Sequence, residues 1–174
     1  MTQEQQKTLD GLNIAIQMEI DGKEFYSKAA AASANELGKK LLNTLAGEED
    51  IHRKVFIGIY ESIKSKRGWP AVDFHPDGGR RLRTVFSETL AKSGTSIKVG
   101  NSEVDAVLTA RNMETKTFDF YRRQMAAATE KAEEDFYERL ASQEQEHNLI
   151  LADYYEYLKN PAGWFVKKEH PSLD

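Results

Sequence analysis

The chain has 174 residues, of which 40% are apolar and 30% charged, and its formal net charge is -4. These values predict a single domain over residues 1–174 with a hydrophobic core, and they argue against a disordered chain and a nucleic-acid-binding protein. The chain has no apolar run long enough to span a bilayer and no apolar signal segment at its start, so we expect a cytoplasmic protein with no membrane partner. It has no cysteine, so any metal or redox chemistry is expected to use oxygen and nitrogen ligands.

Apolar residues recur with a helical period along four long segments, and no segment alternates as a strand would, so the chain is predicted to be all-α. The side chain of Asn35 is expected to cap the second helix, and Ser102 with Asp105 to form a weak capping box on the third. Pro161 should end the fourth helix and leave residues 160–174 as a C-terminal tail. The predicted helices cover residues 8–33, 36 to about 67, 102 onward, and 131–159.

Residues 67–101 do not fit a bundle helix and are predicted to form a long crossover. Residues 68–79 are rich in proline and glycine, whereas residues 80–92 place leucine, valine and phenylalanine on one face, which predicts a short extra helix. A connection of this length lets the second and third bundle helices run parallel. The predicted architecture is therefore a four-helix bundle with one long crossover.

The chain also contains an internal repeat. With a shift of 95 residues, residues 15–52 align with residues 110–147 without a gap, and the matched positions include two Glu and one His in each half. Apolar matches can arise from shared bundle packing, but these polar matches have no packing purpose. Two such helical hairpins would pack about a pseudo-twofold axis, which brings the matched polar groups together in the middle.

The matched polar residues form a candidate site for two metal ions. Glu-x-x-His occurs twice, and residues three apart share a helix face, so each pair can offer a carboxylate and an imidazole. A further Glu lies in the apolar stripe of each of the other two helices, which gives the ligand set of di-iron and di-manganese bundles. Each Glu-x-x-His pair is expected to bind one ion, and the other two Glu to complete or bridge the site. The six predicted ligands are Glu19, Glu49, His52, Glu114, Glu144 and His147.

Other interpretations of these residues are solvated surface charges or a buried polar network that binds no metal. The charge balance favours metal, because four carboxylates in one core repel each other unless cations neutralise them. Tyr26 and Tyr121 follow the stripe Glu residues by two helical turns on the same face. Each is either a hydroxyl that orients a ligand carboxylate or a core tyrosine whose hydroxyl lies near the bundle end.

Four segments of the bundle helices carry a likeness to a known family: MEIDGKEFY (18–26), LAGEEDIH (45–52), METKTFDFY (113–121) and LASQEQEH (140–147). They resemble the rubrerythrin-like branch of the ferritin-like superfamily, and the resemblance covers about two thirds of the chain. The resemblance implies a ferritin-like bundle with two iron ions, for which manganese or zinc are possible substitutes, and reduction of hydrogen peroxide or dioxygen in defence against oxidative stress. We expect a homodimer.

The chain departs from this family pattern in two ways. Rubrerythrins usually carry a cysteine-rich rubredoxin domain, so a chain with no cysteine needs an external electron donor such as a rubredoxin or a flavoprotein. They also carry an extra Glu where this chain has Thr117, and the repeat mate of Thr117 is Gly22. These two residues are expected to line the open side of the site. The alternative is that Gly22 allows close helix packing and that the Thr117 hydroxyl bonds back to its own helix.

Three functions remain open at this point. The first is a di-iron oxidoreductase. The second is a ferroxidase that serves iron storage, since bacterioferritins share the same six ligands, although Asp50 stands where they often have a haem-binding Met. The third is a bundle that metal stabilises without turnover.

Overall fold

The computed structural model describes residues 2–169, and within this range the chain forms six α-helices and no strand. The all-α prediction is therefore confirmed. No helix in this range combines the length and apolarity needed to cross a membrane. The helices are α1 (Gln3–Ala32), α2 (Glu36–Lys64), α3 (Arg80–Ser93), α4 (Glu103–Ala127), α5 (Lys131–Lys159) and α6 (Pro161–Glu169).

The bundle consists of two helical hairpins, α1–α2 and α4–α5, that pack against each other. Tyr26 of α1 contacts Glu114 of α4, and Tyr121 of α4 contacts Glu19 of α1, so these two helices run antiparallel. Since each hairpin is itself antiparallel, α2 and α4 run in the same direction. The long crossover between them is thereby explained, as the sequence predicted, and it carries the expected short helix α3.

The start of α1 lies earlier than predicted because of a capping box. The Thr2 hydroxyl accepts a hydrogen bond from the backbone N–H of Gln5 at 3.1 Å, and the Gln5 side chain accepts one from the backbone N–H of Thr2 at 3.0 Å. Asn35 caps α2 as predicted, accepting from the N–H of Gly38 at 2.8 Å. The reciprocal pair at Thr2 satisfies two helix-end groups and extends α1 by more than one turn.

The structure differs from the prediction at one other helix end, at one expected cap and in the tail. α2 ends at Lys64 because Lys66 adopts a left-handed backbone with φ of 60°. Ser102 precedes α4 but makes no side-chain capping bond. α5 ends at Lys159 as predicted, but residues 161–169 of the predicted tail form α6. Asn160 accepts a hydrogen bond from the N–H of Gly163 at 2.9 Å, and Pro161 suits the first position of a helix. Residues 170–174 of the predicted tail lie outside the described range.

Two clusters of buried apolar residues flank the middle of the bundle. One contains Leu12 and Phe56, and the other contains Ala30 and Leu42. On α1 the stripe passes from one cluster to the other through Glu19, so the polar residues lie in a layer between two apolar layers. The crossover contributes to both clusters, with Phe74 in the first and residues of α3 in the second.

Gly38 should be the least replaceable glycine in α2. A Cβ there would lie 2.6 Å from the Glu103 carboxylate and would also collide with the hydroxyls of Ser33 and Tyr154, which are bonded to that carboxylate. We expect Gly38→Ala to lower the free energy of unfolding by about 1–3 kcal/mol, as overpacking does. Gly58 has no atom within 4 Å of its Cβ position, so Gly58→Ala should add about 0.5–1 kcal/mol. Urea unfolding of both variants tests this, and equal effects would contradict it.

Candidate metal centre

The bundle brings all six predicted ligands into the polar layer between the two apolar clusters. Each of the six residues is at most 4% exposed, and each lies on the inward face of α1, α2, α4 or α5. They form two groups in which the possible ligand atoms lie within 4.8 Å of one another. The groups are Glu19, Glu49, His52 and Glu144, and Glu49, Glu114, Glu144 and His147.

Glu49 and Glu144 belong to both groups, which differs from the expected division of the ligands. The Glu of each Glu-x-x-His pair lies in the middle, and Glu19 and Glu114 each lie at one end. The arrangement arises because α2 and α5 face each other across the bundle, so each supplies a carboxylate to the space between the two histidines. The geometry therefore suits two neighbouring ions that share the central carboxylates.

The histidines point their Nδ1 atoms at the carboxylates. His52 Nδ1 lies 3.3 Å from Glu19 Oε2 and 3.3 Å from Glu144 Oε1. His147 Nδ1 lies 3.1 Å from Glu49 Oε1 and 3.5 Å from Glu114 Oε2. The two imidazole rings are stacked, with their centroids 5.8 Å apart and their planes inclined by 11°. Nδ1 is thus the ring nitrogen available to a metal in both residues.

Several atoms of this cluster have no hydrogen-bond partner among the described residues. Buried polar atoms are nearly always paired, and leaving one unpaired costs about 1–3 kcal/mol. Five unpaired atoms that converge on one place fit metal ligands, and carboxylate oxygen with imidazole nitrogen suits divalent iron, manganese or zinc. The unpaired atoms are Glu19 Oε2, Glu49 Oε1, Glu144 Oε1, His52 Nδ1 and His147 Nδ1.

Charge repulsion divides the four carboxyl groups into two kinds. Burial and the charge of Glu49 raise the pKa of Glu19 well above its ordinary value, and burial and the charge of Glu144 do the same for Glu114. Burial would also raise the pKa of Glu49 and Glu144, but contacts with the histidines and the outer carboxyl groups lower both. Protons are therefore held more tightly by the outer carboxyl groups than by the central ones, and a cation that binds the outer groups has to displace them.

The two histidines are shifted in the same sense. Burial alone would lower their pKa, but the charge of Glu19 beside His52 and of Glu114 beside His147 raises it well above the ordinary value. Protons on these rings and on the outer carboxyl groups thus compete with metal. A cation that binds the cluster must displace them, so metal binding is linked to pH.

The hydroxyls of Tyr26 and Tyr121 each contact the outer carboxylate of the opposite half. Tyr26 donates to Glu114 Oε1, and Tyr121 donates to Glu19 Oε1. Both side chains are at most 1% exposed, and burial and the neighbouring carboxylates raise the pKa of both well above its ordinary value. The hydroxyls therefore keep their protons and hold one oxygen of each carboxylate, leaving the other oxygen for a ligand role.

Gly22 and Thr117 do not behave alike, although they are repeat mates. A Cβ at Gly22 would lie 3.5 Å from Glu49 Cγ, in ordinary contact with a central carboxylate. The Thr117 hydroxyl donates to the carbonyl of Met113 at 3.0 Å, so it bonds back to its own helix. Gly22 thus lies beside the site, whereas the hydroxyl of Thr117 is held by its own helix.

One further residue, Glu48, belongs to the site and is not among the predicted ligands. Its Oε2 lies 2.9 Å from His147 Nε2, on the side of the ring that faces away from the other carboxylates. The signal was present in the repeat, because the 95-residue shift places Gln143 opposite Glu48. Glu48 and Gln143 each stand directly before a predicted ligand, and one is a carboxylate while the other is an amide. The two halves therefore differ in charge at this position.

Comparison with known families agrees with this geometry. The family model described as Rubrerythrin matches residues 10–155, which include all six residues of the cluster. The chain belongs to the rubrerythrin family. Searches among curated proteins and among solved structures gave no match. The rubrerythrin family binds a pair of iron ions, and the buried Glu and His cluster is able to hold them.

Metal removal should destabilise this rubrerythrin. We expect two ions per chain, each of which stabilises the folded state by about 2.7 kcal/mol at a concentration 100 times its Kd. Chelation should therefore lower the melting temperature by roughly 10 °C or more, given about 2–4 °C per kcal/mol for a chain of this size. Calorimetry with metal content checked by mass spectrometry measures this, and an unchanged melting temperature after verified metal loss would contradict it.

The apparent affinity for metal should also rise with pH, because the outer carboxyl groups and the histidines must lose protons before they bind a cation.

The tyrosine hydroxyls should contribute to metal affinity. Tyr26→Phe and Tyr121→Phe each free a carboxylate from its orienting hydrogen bond, and we expect a loss of about 10–100-fold in metal affinity. Tyr157→Phe is the matched control, since it removes a hydroxyl that donates to the Gly94 carbonyl away from the cluster. Competition titration with a chelator gives the affinities. If all three variants bind metal equally well, the hydroxyls have no role in ligand orientation.

Proposed function

We propose that this protein is a di-iron oxidoreductase that reduces hydrogen peroxide or dioxygen with electrons from an external donor. The observation that supports it best is the pair of overlapping ligand groups that share Glu49 and Glu144. Two neighbouring ions with common carboxylates can deliver two electrons to one substrate molecule. The outer ligands of the proposed site are Glu19 and His52 for one ion, and Glu114 and His147 for the other.

When bound, two ferrous ions supply one electron each, and with two protons these reduce one hydrogen peroxide to two water molecules. The protein residues provide a rigid and closed frame for this reaction. The tyrosine hydroxyls of Tyr26 and Tyr121 fix the outer carboxylates, and the two apolar clusters above and below the polar layer exclude bulk water. Fixed ligands and a dry site lower the reorganisation that accompanies each change of charge.

The electrons must come from a separate centre in this proposal. The 174 residues contain no cysteine, so they hold no thiolate-bound iron, and a rubredoxin or a flavoprotein is the proposed donor. We further propose that the protein works as a homodimer in the cytoplasm, where such donors are found. Manganese or zinc could occupy the same ligands, but zinc has no redox chemistry and could not supply the electrons.

Anaerobic loading with ferrous iron followed by rapid mixing tests the reaction. With hydrogen peroxide we expect one molecule to oxidise two ferrous ions, without release of free iron, and reduced rubredoxin or flavoprotein should then restore the ferrous state. Dioxygen in place of peroxide measures substrate preference. Asp50→Asn is a suitable control, because Asp50 follows Glu49 directly but pairs with Lys23, Arg53 and Lys54 at the surface.

The same experiment separates the alternatives. Oxidation and retention of many more than two iron ions per chain, together with a large shell in native mass measurements, would favour iron storage over the proposed enzyme. Ferrous iron that stays unoxidised by either substrate would leave a metal-stabilised bundle with no turnover. A dimer that oxidises two irons per peroxide supports the proposal.

A further inference from the structure

The pseudo-twofold symmetry of the cluster is broken in charge where a carboxylate in one half matches an amide in the other. Glu48 and Gln143 are repeat mates, each directly before a central carboxylate. Glu48 is only 6% exposed, and its Oε2 accepts a hydrogen bond from Gln143 Nε2 at 2.9 Å. Both side chains therefore lie on the same side of the cluster, and the buried negative charge belongs to one half alone.

The charge of Glu48 is directed at His147. Glu48 Oε2 lies 2.9 Å from His147 Nε2, while Nδ1 of the same ring faces the ligand carboxylates. A carboxylate can only accept, so the hydrogen of the ring is held on Nε2 and the Nδ1 lone pair is left for a metal. A carboxylate in this place also makes the imidazole a stronger ligand and fixes its orientation.

His52 has a different environment on its far side. Its Nδ1 faces Glu19 and Glu144 as expected, but Nε2 has no hydrogen-bond partner among residues 2–169. The ring instead packs edge-on against Phe74 of the crossover, with the centroids 5.5 Å apart. Gln143, which by symmetry would serve His52, points to Glu48, and its Oε1 has no partner in the described part of the chain.

We propose that Glu48 is a positioning residue that makes the metal position at His147 bind its ion more tightly than the position at His52, so that the two ions load in order. The inference rests on the proposed di-metal site. Loss of a carboxylate partner behind a ligand histidine typically weakens metal binding by about 10–100-fold. A difference of that size between the two positions gives a protein that holds one ion at His147 before the second binds.

Zinc is a suitable probe, because it is diamagnetic and does not oxidise. The protein is labelled with nitrogen-15 at histidine, freed of metal and titrated with zinc, and the ring signals are assigned with single histidine substitutions. At one equivalent of zinc we expect the His147 signals to show coordination through Nδ1, while the His52 signals stay mostly free. Chelator competition should give two affinities that differ by about 10–100-fold.

Two variants test whether Glu48 causes this order. Glu48→Gln keeps the size and a hydrogen-bond acceptor but removes the charge, so the two affinities should converge, mainly by weakening at His147. Asp50→Asn is the matched control, because it removes a carboxylate two residues from Glu48 that contacts neither histidine, and the order should not change.

The outcomes separate this inference from the proposed function. Equal affinities in the wild type, first binding at His52, or an unchanged order in Glu48→Gln would overturn the role of Glu48 and leave the di-metal site intact. Ordered zinc binding in a protein that does not reduce peroxide or dioxygen would reject the proposed function and keep the inference. If zinc binds at neither histidine, both are wrong.

Discussion

The structure depends on one electrostatic constraint, which is the burial of four carboxyl groups and two imidazoles within a few ångströms of each other. Each ion moved from water into a protein interior costs several kcal/mol unless another charge or hydrogen bond compensates it. The central pair, Glu49 and Glu144, stays charged because both histidines lie within reach. The outer pair, Glu19 and Glu114, takes up protons or cations. A pair of divalent cations satisfies all four at once, because the charges then sum to zero.

The internal repeat is the means by which the fold meets this constraint. Neither hairpin can satisfy its own polar residues, since the hydroxyl of Tyr26 bonds to Glu114 in the other half and that of Tyr121 bonds to Glu19. The exchange makes the two halves mutually dependent and fixes the axial position of α1 against α4, because a shift of one helical turn would separate both pairs. The apolar clusters on either side then close the layer. Packing and polar pairing therefore specify the same arrangement of helices.

The sequence predicts features that follow from helical period and from the repeat, and it does not predict features that depend on how distant helices pack. The inward position of the Glu and His residues follows from helical period and from the repeat, and the structure brings all six together. The sharing of Glu49 and Glu144 could not be predicted, because it depends on how α2 and α5 face each other. α6 was missed for a local reason. Pro161 predicts a stop for α5, but together with Asn160, which caps it, this proline also begins the next helix.

The asymmetry of the cluster follows from joining two repeats in one chain. A single crossover connects the halves, and Phe74, from the loop before α3, lies behind His52 with its carbonyl held by Arg139 at 3.2 Å. The crossover has no repeat mate, so nothing equivalent can cover His147. The far side of the His147 ring is instead occupied by the carboxylate of Glu48, whose repeat mate, Gln143, is an amide. One ring thus has an apolar neighbour and the other an anionic one, and two ions held by the same ligand types would differ in affinity and in reactivity.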